Sequence, residues 1–200
     1  MSHDFKRFDL KLLTSKTNVL IIGGHHSGKT SLVKHILHYF SNDNGLIFDG
    51  TGDYAAEFKN VHFNFNTDVL KGLMQQQFIM FKNRNTVKMK SAYTVFDSVF
   101  EPDWQLDNHC NKLFRLNMHL NIRTVVTALS PLGIRPNLST NTDFLFLTRD
   151  AIVDHREACL ELSGVSPSIL DALATLLKRR FGFAVIKLSG ELCDVSYYRI

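Results

Sequence analysis

The stretch from Asn18 to Phe40, NVLIIGGHHSGKTSLVKHILHYF, leaves the chain few ways to fold. Val19 to Ile22 form a short apolar run, a Gly-rich turn follows, and an amphipathic segment comes next. Gly23, Gly28, Lys29 and Thr30 satisfy G-x-x-x-x-G-K-S/T with a strand before and a helix after, the context that pattern needs. Glycines let the backbone curl so that successive N–H groups converge on phosphate oxygens, and the new helix adds its positive end. The residues Gly23, Gly24, His25, His26, Ser27, Gly28, Lys29, Thr30 and Ser31 therefore form the expected phosphate cradle. In it Lys29 reaches the β- and γ-phosphates and Thr30 offers its hydroxyl to Mg²⁺. The expected ligand is a nucleoside triphosphate.

The rest of the chain alternates strand and helix. A lead-in over residues 1–16 reads as a short helix or edge strand, and residues 17–200 read as one nucleotide-binding domain. A helix is expected from Lys29 to Phe40, with Leu32, Ile36 and Leu37 on its apolar face, ended by the turn cluster Ser41–Gly45. Strands are expected at Leu46–Phe48, Val61–Phe65, Tyr93–Phe96, Ile122–Ala128 and Phe144–Leu147. Helices are expected at Thr67–Asn83, Asp103–Leu120, Asp154–Leu162 and Pro167–Arg180. Pro131, Gly133 and Pro136 mark Leu129–Thr142 as a long connection, and a hairpin of Phe183–Leu188 and Val195–Tyr198 turns across Ser189–Glu191. The fold class that follows is α/β: a mostly parallel sheet, helices on both faces and an antiparallel C-terminal edge.

Composition narrows the setting. No apolar run approaches membrane-spanning length, and the N-terminal segment lacks the apolar core of a secretory signal. Three scattered cysteines, Cys110, Cys159 and Cys193, fit reduced thiols in an intracellular setting and neither a disulfide framework nor a zinc site. The net charge of +4 is mild, with clusters at Lys82, Arg84, Lys88 and Lys90 and at Lys178, Arg179 and Arg180. Such clusters suit a polyanion or a solvated helix face.

In a sheet of this kind, ligands sit at the carboxyl ends of the strands. Asp97, closing the strand Tyr93–Phe96, is the natural second partner of Mg²⁺, so Thr30 and Asp97 make the expected metal pair. Asp49 and Asp53 end the neighbouring element and are placed to face the γ-phosphate, with Glu101 and Asp103 as further carboxylates. Asp49-Gly50-Thr51-Gly52 mimics the D-x-x-G of GTPases. Only 26 positions separate Gly23 from Asp49, however, and no N-K-x-D follows to read guanine. A small-molecule kinase stays open, with Arg135, Arg149 and Arg156 as lid residues.

The order of elements resembles the FtsK–HerA superfamily of DNA-pumping ATPases, in particular the genome-packaging ATPases of large eukaryotic DNA viruses of the poxvirus type. LIFDGTGDY is similar to that family's strand ending in Asp and continuing to Gly-acidic-Tyr. HLNIRTVVTAL is similar to its His-containing helix end before a strand that finishes in a polar sensor. NTDFLFLTRD is similar to N-x-D-x-x-F-x-x-R, here Asn141, Asp143, Phe146 and Arg149.

The likeness spans roughly residues 18–198. It implies an additional-strand P-loop fold of the RecA/FtsK-like type and ATP hydrolysis with Mg²⁺. It also implies a ring of identical subunits acting on double-stranded DNA, capsid proteins as partners and no membrane. The place implied is the host cytoplasm or nucleus, or the virion. Three positions depart from the family. Ser98 stands where hydrolytic members carry a carboxylate, Leu129 where the sensor Gln falls, and Asn117-Met118-His119 where Gly-Arg-His is usual. Arg115, one helical turn before Met118, is then the expected replacement cation, beside Lys29, Asp97 and Asp53 as catalytic residues. A nucleotide-binding assembly module with little hydrolysis is the alternative that Ser98 and Leu129 favour.

Overall fold

The computed structural model describes residues 5–40, 44–99, 104–177, 182–188 and 194–200. The expected turn at Ser41–Asp43, the carboxylates Glu101 and Asp103, the basic triplet Lys178–Arg180, the turn Ser189–Glu191 and Cys193 lie outside the described residues. Among the described residues, sixteen strands and α-helices carry the fold. They run β1 (Lys6–Arg7), β2 (Asn18–Ile22), α1 (Lys29–Tyr39), β3 (Asn44–Asp49), β4 (Val61–His62), α2 (Thr67–Lys82), β5 (Ala92–Asp97) and α3 (Asn108–Leu120). They continue with β6 (Ile122–Ala128), α4 (Pro136–Thr140), β7 (Phe144–Thr148), α5 (Arg149–Asp154), α6 (Arg156–Ser163), α7 (Pro167–Leu176), β8 (Gly182–Lys187) and β9 (Asp194–Arg199).

The nine strands form one sheet in the order β1-β9-β8-β7-β2-β6-β5-β3-β4. Every pairing is parallel except β7 with β8 and β8 with β9. The mixed sheet with an antiparallel C-terminal pair is the architecture the alternating pattern implies. β6 lies between β2, which feeds the Gly-rich loop before α1, and β5, which ends in Asp97. This inserted strand defines the additional-strand class, and it decides who touches Asp97.

β2 shows why the sheet is covered twice. Leu20 and Ile22 enter one core with residues of α2, α3, α5, α6 and α7, while Val19 and Ile21 enter a second with Leu32, Val33, Ile36 and Leu37 of α1. Both faces are apolar, so the central strands read as continuous hydrophobic runs. The lead-in belongs to the second core: β1 pairs with β9, and Phe8, Leu10 and Leu13 are buried. Arg123 of β6, buried to 1% exposure, donates to the carbonyls of Leu13 and Thr14 and stacks over Phe40 at 3.4 Å, tying the lead-in to the sheet.

Four expected elements change shape, each for a local reason. The strand expected at Val61–Phe65 stops at His62, because Asn66 leaves the sheet to cap α2, accepting from the N–H groups of Asp68 and Val69. The helix expected from Asp103 is a 3₁₀ turn at Trp104–Leu106 and then α3, since Asp107 caps the N–H groups of His109 and Cys110. The long connection holds a 3₁₀ turn at Pro131–Gly133 and α4, both opened by proline. The helix expected at Asp154–Leu162 is α6, which starts at Arg156, and an additional helix, α5, precedes it, the two separated by His155, which leaves helical geometry at φ −132°, ψ 43°. Among the described residues no single helix is long and apolar enough to cross a membrane. Cys110 and Cys159 are free and buried, and burial pushes the Cys159 thiol up to about 11.

Candidate nucleotide and metal site

The site begins where β2 leaves the sheet. Gly23 has no room for a side chain: a Cβ there would stand 2.5 Å from the Thr148 side chain and 2.6 Å from Ser27 Oγ. Gly24 donates its N–H to Asp150 Oδ2 at 3.1 Å, so the loop leans on the first turn of α5, two residues beyond β7. His26 turns the chain at φ 57°, and Gly28 reaches φ 91° immediately before α1. No side chain caps α1, which leaves its first N–H groups directed at the cleft. Lys29 Nζ donates to the carbonyls of Gly23 at 2.8 Å and Gly24 at 2.7 Å, holding the ammonium inside the loop. Burial pulls the Lys29 ammonium below its ordinary value, opposed by the charges of Asp97 and Asp150.

A cleft of about 500 Å³ opens over this loop, lined by His25 to Ser31, Lys34, Thr51, Asp53, Ser98 and Leu129. The residues fit a triphosphate on three counts. The α1 N-terminus is uncapped, the buried Ser27 Oγ has no partner, and the loop's tightest positions are glycines. Each suits an anion that accepts hydrogen bonds.

Asp97 closes β5 with no exposed surface. Its Oδ2 accepts from Thr30 Oγ1 at 3.0 Å and from the Tyr54 phenol at 2.6 Å. Its Oδ1 accepts from the Thr127 hydroxyl and from Ser98 Oγ at 3.3 Å. Four hydroxyls therefore satisfy one buried carboxylate, and the pair expected to hold Mg²⁺ is in direct contact. No cluster of three metal-ligating side chains occurs among the described residues. Mg²⁺ needs fewer, because it keeps waters and takes phosphate oxygens beside one or two protein ligands. Burial together with the Asp97 charge raises the Tyr54 phenol far above its ordinary value, so it stays a donor.

The other expected residues divide. Asp49 is buried and committed to its own loop: it accepts from the Thr51 N–H and hydroxyl, both at 2.9 Å, and from the Tyr54 N–H at 3.0 Å. It builds the turn that presents Asp53 and Tyr54 and does not face the phosphates. Asp53 is exposed at the cleft wall, its Oδ2 accepting from Thr51 Oγ1 at 2.6 Å. Ser98 lines the cleft at φ 55°, and Leu129 stands half-exposed at its rim.

Arg115 is a correction. It lies exposed on α3, between Phe114 and Asn117, whose contacts are with Asn18 and Lys16 at the start of β2. α3 runs back from the cleft end of β5 to the beginning of β6, so its later turns sit at the far end of the sheet from the phosphate loop. Within one chain Arg115 does not reach the site. Arg156 pairs with Asp171 at 2.9 Å and with Glu157 at 3.1 Å on the surface, which is not a lid. Asn141 and Asp143 also act at the far end, where Asp143 accepts from the Asn18 N–H at 2.8 Å and Asn18 donates to the Asn141 carbonyl.

Three site residues carry no sequence expectation of their own. Thr127 is one β-branched residue in a β-branched strand and offers no signal. Tyr54 stands in the Gly-acidic-Tyr string, which does not reveal a partner 43 residues away. Asp150 had a usable signal, since residues just after a parallel strand are the ones to inspect.

No protein-family model matches the chain. In sequence it is 24% identical over 183 residues to the uncharacterized protein L437 of Acanthamoeba polyphaga mimivirus, covering 84% of this chain and 64% of that protein. In structure it is similar to B204, the DNA-packaging ATPase of Sulfolobus turreted icosahedral virus, with a TM-score of 0.65 over 90% of this chain and 97% of B204 at 14% identity. It is also similar to the pCW3 conjugation coupling protein TcpA in a form with ATPγS, with a TM-score of 0.65 at 13% identity over 92% of this chain and 60% of TcpA. The fold is that of these P-loop ATPases, and against B204 it extends over nearly the whole of both chains.

Proposed function

We propose that the chain is an ATP-hydrolysing motor that translocates double-stranded DNA as a ring of identical subunits, packaging a viral genome into a capsid inside the host cell. The observation that carries this reading is the uncapped phosphate loop joined through Thr30 to the buried Asp97, within a fold that runs end to end like a viral packaging ATPase. The viral source of the mimivirus relative supports the setting.

Lys29 would leave the loop carbonyls for the β- and γ-phosphate oxygens, and the N–H groups of residues 25 to 30 would hold the remaining phosphate charge. Thr30 and Asp97 would hold Mg²⁺, which neutralises charge on the β- and γ-phosphates. Asp53 is the only carboxylate on the cleft wall among the described residues, and it is the candidate to orient water. The cation expected beside the γ-phosphate would come from an adjacent subunit, since Arg115 does not supply it in its own chain.

Phosphate release measured with and without duplex DNA, beside the mass of the nucleotide-bound species, tests the reading. Turnover that rises with DNA in an oligomer is expected. Turnover indifferent to DNA in a confirmed oligomer would favour the assembly module, a second reading that rests on Ser98 occupying the position next to Asp97. Phosphate transferred to an acceptor other than water would identify a kinase.

A further inference from the structure

α2 and α3 lie side by side and run in the same direction away from the nucleotide cleft. Thr67 at the start of α2 donates to Asp107 at the start of α3 at 2.8 Å, and near their ends the rings of Phe81 and His119 are 6.2 Å apart. Each presents one outward stripe at helical spacing. On α2 it is Lys71, Gln75, Phe78 and Lys82, and on α3 it is Lys112, Arg115 and His119, all exposed. Lys82 sits over the Phe78 ring at 4.7 Å, and Arg84 over Phe81 at 4.4 Å, so aromatic faces support two of the cations.

The charge of this face is one-sided. Across α2 and α3 the cations are Lys71, Lys82, Lys112 and Arg115 and the one carboxylate is Asp68 in the first turn of α2, while the segment after α2 adds Arg84, Lys88 and Lys90 with no Asp or Glu before Asp97. Asp68 and Asp107 stand at the cleft end, and Asp107 is engaged as a helix cap. None of Lys71, Lys82, Lys112 and Arg115 is ion-paired with a carboxylate among the described residues. A solvated helix face normally mixes the two signs, which this one does not.

We infer that the paired outer face of α2 and α3 is the surface that holds the phosphate backbone of duplex DNA. The inference deepens the motor reading and rests on it. Lys71 and Lys82 lie about 16 Å apart along α2, by the rise of an α-helix. Packed helices stand about 8–10 Å apart, which places two rows of cations at the scale of a DNA groove, about 6–12 Å wide. Gln75 and His119 interleave neutral hydrogen-bonding groups of the kind that contact phosphates. Binding is then electrostatic and indifferent to base sequence, because contacts to phosphates carry no base information.

The test replaces Lys71, Lys82 and Lys112 together by Glu and compares this variant with one reversed at the exposed Lys6, Lys11 and Lys59, which has the same net charge. Fluorescence anisotropy of two unrelated duplexes of about 30 base pairs is followed from about 50 to 200 mM salt, with an ATP analogue present. Loss of at least tenfold in affinity for both duplexes is expected from the first variant, with a salt dependence shallower by about 2–3 in log–log slope. The control should stay within about twofold of wild type, and basal phosphate release without DNA should be unchanged in both. Wild-type affinity in the first variant, or equal losses in the two, overturns the surface while leaving a DNA-stimulated motor standing. A wild-type protein that binds no duplex at low salt removes the motor reading and this surface together. If the triple variant does not fold, single Lys82→Glu and Lys112→Glu variants replace it: a loss of about threefold or more in each is expected, and wild-type affinity in both overturns the surface.

Discussion

The Tyr54 phenol donates to Asp97 Oδ2 at 2.6 Å, the same oxygen that accepts from Thr30 at 3.0 Å. One carboxylate oxygen thus joins the loop after β3, the end of β5 and the first turn of α1. Tyr54 is a positioning residue: its hydrogen bond fixes the Asp97 carboxylate beside Thr30, and Tyr54 is not among the residues lining the cleft. Replacing Tyr54 by Phe should weaken Mn²⁺ binding in the nucleotide complex by about tenfold or more, the usual effect of losing a hydrogen bond behind a metal ligand. Metal-free ATP binding should be unchanged, and stability should fall by about 1–2 kcal/mol. Asp97→Asn should weaken the metal more than Tyr54→Phe does. Competitive titration of Mg²⁺ against Mn²⁺ reads both, and equal metal affinity in all three proteins would show that Asp97 only ends a strand.

The same phenol makes an alkaline prediction. Its proton is held in the folded chain well above the ordinary value of 10.0, while the unfolded chain loses it near that value. The unfolded state therefore binds fewer protons above pH 10. The stabilising contribution of Tyr54 is fully present below pH 10 and is lost as pH rises above it, by about 1.4 kcal/mol per pH unit. Urea unfolding between pH 9 and 11 should show a steeper loss in wild type than in Tyr54→Phe, and parallel curves would refute the assignment.

Lys29→Ala removes the ammonium held between the carbonyls of Gly23 and Gly24. ATP affinity should fall by about a hundredfold or more and turnover should vanish, because the charge that bridges the β- and γ-phosphates is gone. Circular dichroism should match wild type. Undiminished affinity in a folded variant would mean that the loop is not a phosphate site.

Asp53→Asn tests the remaining carboxylate of the cleft wall. Nucleotide affinity should stay within about threefold, while turnover falls by about a hundredfold or more, the range for losing a general base. The residue is exposed, so stability should not change. A normal rate would leave Asp53 a solvated partner of Thr51 and strengthen the assembly-module reading.

Much of this molecule was legible in the chain because its signals are local. Gly23, Gly28, Lys29 and Thr30 act through backbone conformation and neighbours in sequence, so their spacing shows the tight turn between β2 and α1. The central strands, buried on both faces, read as apolar runs, and their alternation with helices implied the parallel sheet. Asp97 followed from its place at a strand's end. Element ends were harder to read: Asn66, Asp107 and His155 redirect the backbone within one residue, and a cap competes with an apolar pattern that itself runs on.

What sequence alone determined, then, is the Gly-rich turn between a strand and a helix, the class of fold and the place of Asp97 at a strand's end, all set by residues adjacent in the chain. Tertiary structure decided the partners. Thr127 reaches Asp97 because β6 is inserted beside β5, Asp150 reaches Gly24 because β7 lies on the other side of β2, and Tyr54 arrives on a loop folded around Asp49. It also removed Arg115 from the site, since a helix returning to the start of a parallel strand carries its later turns away from the cleft. Sequence separation says nothing about such contacts: strand order sets them, and it results from how both apolar faces of the sheet are covered at once.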